Sequence, residues 1–115
     1  MMMKVEIRFR GLESSVALAE HTARQVQFHL GQFADQITSV LVRIADINGP
    51  KGGLDKRCQV TVRGPRVGST TLNDLSGDPY SATNSAIERV GQTMGRRLEQ
   101  LRSTTRRVSA LRGRS

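Results

Sequence analysis

The residues of this chain best suited to chemistry are arginines, and they recur at helical spacing. Arg89, Arg96 and Arg107 lie whole numbers of helical turns apart to within about 20°, with Arg97 bordering them on one side and Arg102 and Arg106 on the other. A guanidinium stays protonated in water and presents its N–H donors as a planar fork, so an ordered row of them complements a row of phosphates. Other reactive constellations are missing from the sequence. No nucleophile has a base to activate it, no carboxylates pair in an apolar setting, and no Cys/His spacing suits a metal. His21 and His29 stand eight residues apart, too far for a one-turn metal pair, and are expected in helix-surface or packing roles. The single Cys58 falls on the apolar register of a strand and reads as a small core residue. Neither an enzyme nor a cofactor or metal site is expected.

A long helix must hold the arginine row. Asp78 suits an N-cap, and Pro79 suits the first helical position, where no backbone N–H is required. Downstream, Thr83, Ala86, Ile87, Val90, Met94, Leu98 and Leu101 recur at three- and four-residue steps and form an apolar arc opposite the arginines. The helix is expected to end near Arg107. Residues 108–115 then form an Arg-rich flexible tail with too little apolar content to fold alone, leaving 1–107 as the folded domain.

Charge is distributed unevenly along the 115 residues. Residues 1–88 carry ten Lys/Arg against nine Asp/Glu, whereas 89–115 carry eight Arg and one Glu, so most of the formal net charge of +8 belongs to the last helix and its tail. That asymmetry points to a polyanion, RNA or DNA before a membrane surface, because the apolar arc has no Trp or Phe and is better used as core. No stretch is apolar and long enough to span a bilayer, and the opening segment lacks a signal-peptide core. With one cysteine excluding an internal disulfide framework, a cytoplasmic protein is the expectation.

The elements that carry this helix read as follows. Val5, Ile7 and Phe9 alternate with charged residues as a strand, ended by Gly11. Ser14 or Ser15 caps a helix of about five turns with Val16, Ala19, Ala23, Val26, Leu30 and Phe33 on its inner side. Ile37 to Asn48 forms a second strand with Val40, Val42 and Ile44 on one side. The run Asn48-Gly49-Pro50-Lys51-Gly52-Gly53 precedes another strand, not a helix, so it reads as a hairpin connection and not a phosphate loop. Lys51, Lys56 and Arg57 would extend the cationic surface onto that hairpin. Gly64-Pro65-Arg66 turns into a fourth strand, Val67 to Ser76, whose facing the pattern leaves ambiguous.

The predicted fold is therefore α+β, in the order β-α-β-β-β-α: a two-layer sandwich with a four-stranded mixed sheet and both helices on one face, like a double-stranded RNA-binding domain. The first two strands should be parallel neighbours and the rest an antiparallel meander. The open face, with Arg8, Arg57 and Arg63 among polar neighbours, would stay wet. One Tyr, three Phe and no Trp are few for stacking on bases, and Phe9, Phe28 and Phe33 are needed for packing, which leaves recognition of folded RNA by shape and phosphate.

The element order, the NGPKGGLDKRC hairpin (Asn48 to Cys58), and Asp78, Tyr80 and Ala82 at the start of the last helix, followed by Ile87 and a basic run, resemble the ribosome hibernation promoting factor family, also called ribosome-associated inhibitor A. The resemblance covers roughly residues 3–107. It implies binding of the small ribosomal subunit through rRNA, in the channel used by mRNA and tRNA anticodon arms, with arrest of translation under stress or in stationary phase. It also implies that Arg89, Arg96, Arg97 and Arg102 belong among the rRNA contacts. Long members carry a second, dimerising domain, so this chain would be a short form without one. Gly91 and Gly95 depart from a good helix, each at about 1 kcal/mol relative to Ala, and read either as tolerated defects or as close backbone approach to the sheet or to RNA. Competing readings are a general double-stranded RNA-binding module and an adaptor for an acidic protein partner; no small-molecule substrate is expected.

Overall fold

The computed structural model describes residues 3–47 and 55–112, with side chains as far as residue 106. Strand β1 (Lys4–Arg10) leads to helix α1 (Val16–Leu30), a 3-10 turn (Gly31–Gln36), strands β2 (Ser39–Asp46), β3 (Lys56–Gly64) and β4 (Gly68–Ser76), and helix α2 (Pro79–Arg112). The sheet order is β1-β2-β3-β4, with β1 parallel to β2 and the other pairs antiparallel. This is the expected α+β arrangement, and it follows from connection length. A parallel pair needs a crossover, which α1 and the 3-10 turn supply, whereas the Pro65–Val67 turn, closed by Gly68 at φ 69°, can only fold β4 back on β3. The glycine-rich run at 48–53, with Lys51, lies outside the described residues.

Register decides what each strand contributes. Val40, Val42 and Ile44 of β2 stand opposite Val62, Val60 and Cys58 of β3, and all six are buried beneath the helices. The ambiguity at β4 resolves the same way: Thr70 and Leu72 are paired with Val62 and Val60, so the even-numbered residues face the helix layer. From α2 come Ala82, Ala86, Ile87, Val90, Met94 and Leu98, the predicted arc in its predicted phase. Asp78 caps the helix by accepting a 2.9 Å hydrogen bond from the Ser81 backbone N–H. The helix continues to Arg112, past the end expected near Arg107.

Helix α1 departs from its sequence reading. Its buried residues are Leu18, Thr22, Val26 and Leu30, while Val16 is 75% exposed and Ala23 faces water. The true inner ridge has four-residue steps and includes a threonine, whose hydroxyl donates to the Leu18 carbonyl at 2.7 Å and so enters the core without an unmet polar group. A reading that favours alanine over threonine picks the wrong phase. Phe33 falls on the 3-10 turn, half-buried, and Phe28, expected to pack, is 79% exposed with its ring edge-on to His29. His21 has the packing role expected of it: Nε2 lies 2.6 Å from Asn84 Oδ1, and its ring meets Tyr80 edge-on, joining α1 to the start of α2.

The two helices meet at Gly91. A Cβ there would stand 3.0 Å from the His29 carbonyl oxygen and 3.2 Å from the His29 Cβ, whereas at Gly95 the nearest atom would be Phe33 Cζ at 3.6 Å. The close approach is thus to α1, not to the sheet.

Cys58 is fully buried, and burial pushes its thiol up from 9.0 to about 12, with a Thr83 hydrogen bond opposing. Between those two values the unfolded chain gives up the proton and the folded chain keeps it, so stability falls as pH rises through that window. At neutral pH a thiol-specific alkylating reagent should label Cys58 only in denaturant. Stoichiometric labelling of the native protein on the reagent's own time scale would contradict this burial.

Candidate nucleic-acid interface

Helix α2 presents its arginines because its other side is consumed by the core, but the row is not uniform. Arg89 and Arg97 lean on the edge strand. Arg89 Nη1 donates to the Asn73 carbonyl at 3.0 Å and lies 3.8 Å from an Asp74 carboxylate oxygen, while Arg97 Nη1 donates to the Val67 carbonyl at 3.1 Å and to Thr70 Oγ1. Both therefore fasten α2 to β4 through part of their donor set, and Arg97 sits where the helix meets the β3–β4 turn. On the α1 side, Arg102 and Arg106 bracket Glu99 at 3.6 and 3.2 Å with their side chains 68% and 65% exposed. Such exposed ion pairs contribute little to stability and leave most guanidinium donors to solvent. Among the described residues, Arg96 makes only a long 3.4 Å contact with Thr93 Oγ1, between the two groups. The side chain of Arg107 lies outside the described residues.

A residue that the helical pattern could not supply joins this group. Arg66, in the β3–β4 turn, lines a hollow of about 250 Å³ with Arg102 and Arg106 and a neighbouring one of about 340 Å³ with Arg97. It stands thirty-one residues before Arg97 in the chain, and only the antiparallel hairpin returns it to the helix. The distal half of α2 and this turn thus bring together Arg66, Arg97, Arg102 and Arg106, with Arg96 exposed on the same helix.

The hairpin set fares differently. Lys56 Nζ is held 3.1 Å from the buried Asp55 carboxylate and 3.2 Å from Asp46, with the Lys56 side chain 21% exposed. The Asp55 hydrogen bond, followed by the Asp46 contacts, raises the Lys56 pKa. Its charge is engaged internally, so Lys56 is a clamp between the end of β2 and the start of β3 rather than a free phosphate ligand. Arg57 points to the opposite face of the sheet, paired in register with Ala45 and Leu75. Lys56 and Arg57 are therefore not brought together, and Lys51 lies outside the described residues.

Among the described residues, no group of His, Cys, Asp and Glu could hold a metal ion, and no helix is long and apolar enough to cross a membrane. What the arrangement offers is N–H donors in quantity and positive charge; the exposed aromatic side chains among the described residues are Phe28, across the α1–α2 groove, and Tyr80, at the far start of α2 against His21.

No family model matches the chain, and no curated protein matches it closely enough to be counted a relative. Solved structures do match. The N-terminal domain of Thermus thermophilus Protein Y is similar with a TM-score of 0.66 at 18% identity, over 83% of this chain and 98% of that one. A ribosomal subunit interface protein from Coxiella burnetii is similar with a TM-score of 0.67 at 17% identity, over 82% of this chain and 96% of that one. The chain therefore has the fold of these two proteins over 82 to 83% of its length.

Proposed function

We propose that this protein is a non-enzymatic ribosome-binding factor that lies in the mRNA and tRNA channel of the small subunit and blocks translation there, as a cytoplasmic response to stress or stationary phase. The observation that carries this reading is the α2 surface: Arg96, Arg102 and Arg106 are exposed along a helix whose opposite side is the core, on the fold shared with a ribosomal subunit interface protein. Phosphates of folded rRNA supply the matching row of charge, and shape does the selecting, since few side chains here can read bases. Arg89 and Arg97 contribute contacts with the donors that their bonds to Asn73, Val67 and Thr70 leave over, and Arg57 contributes from the open face of the sheet.

Co-sedimentation with purified small subunits tests the reading. The protein should saturate at one copy per subunit and be displaced by initiator tRNA together with initiation factors. Equal affinity for any RNA duplex of similar length, with no such saturation, would make it a general double-stranded RNA-binding module instead.

A further inference from the structure

The face of the sheet turned away from the helices is a second cationic surface. Register places Lys4, Arg8, Arg10, Arg43, Arg57 and Arg63 on it with one acid, Glu6. The other acids of the strands point the opposite way: Asp46 lies against Lys56, and Asp74 is paired with the buried Cys58. Within this face, Arg8, Arg10, Arg43 and Arg57 converge on a hollow of about 310 Å³ whose lining also includes Phe9, Ala45 and Gln59 and contains no carboxylate. Arg8 reaches Glu6 at 2.9 Å, while the guanidiniums of Arg10, Arg43 and Arg57 have no ion-pair or hydrogen-bond partner among the described residues.

Two features of this hollow are hard to account for by folding alone. Arg8 stands directly opposite Arg43 on the neighbouring strand, a like-charge pair that weakens a sheet. Between Arg10 and Arg57, in the adjoining row, stands the small Ala45, only 6% exposed although it is on the open face. A larger residue there would fill the hollow.

We infer that the Arg8, Arg10, Arg43 and Arg57 hollow is a phosphate site for the backbone of an RNA strand crossing the open face of the sheet, separate from the α2 surface. The inference rests on the RNA-binding reading given above and adds a second contact on the opposite side of the domain. Guanidiniums from three adjacent strands, spaced about 4.8 Å apart, surround an oxyanion with planar N–H forks, and its charge relieves the Arg8–Arg43 repulsion. Recognition is by phosphate and not by base, because the one aromatic ring in the lining, Phe9, is half-buried against the core and offers no open platform for stacking.

The test uses the full chain with a short single-stranded RNA of mixed sequence and, separately, purified small subunits, comparing the parent with Arg10→Gln/Arg43→Gln. RNA should shift the parent's Arg10, Arg43 and Arg57 side-chain Nε–H resonances, and the double variant should lose about 1.4 from the slope of log affinity against log salt, two contacts at about 0.7 each. Without RNA, at low salt, the variant should melt no lower than the parent because a like-charge pair is removed, which separates lost binding from lost folding. An unchanged slope, with resonance shifts confined to the arginines of α2, would overturn the inference even if the parent saturates small subunits at one copy. Conversely, the expected slope loss on RNA together with no saturation of small subunits would leave the phosphate site standing and remove the ribosomal reading.

Discussion

Reversing Arg96, Arg102 and Arg106 to Glu should abolish measurable binding to small subunits at moderate salt while leaving the fold intact. The three side chains are exposed, and the contacts they make, with Thr93, Glu99 and Ser103, all lie within α2 itself. Three reversals lower the formal net charge of +8 by six units, and three lost phosphate contacts should reduce the salt slope by about 2.1 to 2.7, with repulsion from the new carboxylates added. Thermal unfolding run in parallel should shift little, because exposed ion pairs of this kind are each worth about 0 to 1 kcal/mol. Arg89 and Arg97 belong in a separate variant. Their hydrogen bonds to Asn73, Val67 and Thr70 tie α2 to β4, so changing them should lower stability as well as binding and confuse the two readouts. Parent-like binding of the triple reversal at every salt concentration would show that the α2 surface is only solvated.

The two helical glycines should respond with opposite signs to the same substitution. In an open helix, Gly→Ala gains up to about 1 kcal/mol. At Gly95 the new methyl would meet Phe33 at 3.6 Å, an ordinary van der Waals contact, and Gly95→Ala should stabilise by about 0.5 to 1 kcal/mol. At Gly91 the methyl would lie 3.0 Å from a backbone oxygen of α1, which cannot move without shifting that helix. Overpacking of about 1 to 3 kcal/mol is set against the helical gain of up to about 1 kcal/mol, so Gly91→Ala should destabilise by up to about 2 kcal/mol. Denaturant unfolding of the two variants decides it; stabilisation by both would mean that α1 and α2 are not in contact at His29.

Much of this fold was legible in the sequence because its strongest patterns are local. Asp78-Pro79 and the apolar arc from Ala86 to Leu98 define α2, and the alternation around Val40 and Val60 defines the central strands, whichever partners they find. The errors arose where a residue's role depends on something distant. Thr22 is buried only because its hydroxyl bonds back within α1, and Phe28 is exposed because the ridge containing Val26 and Leu30 turns the other way. Among the candidate site residues, helical spacing predicts the exposed placement that Arg96, Arg102 and Arg106 have on α2. It could not show that Lys56 is claimed by Asp55 and Asp46, nor that Arg66 returns to α2 through a hairpin. The convergence of Arg8, Arg10, Arg43 and Arg57 needs the register of three strands at once, which no single segment encodes.

The central claim is that the arginines of α2 place this domain in the mRNA and tRNA channel, and hydroxyl-radical footprinting of rRNA in small subunits tests it most directly. Protection confined to the rRNA lining that channel, present with the parent at one copy per subunit and absent with the Arg96, Arg102 and Arg106 reversal, is the predicted result. Weak protection spread over exposed rRNA helices across the subunit, the same with parent and reversal, would contradict it.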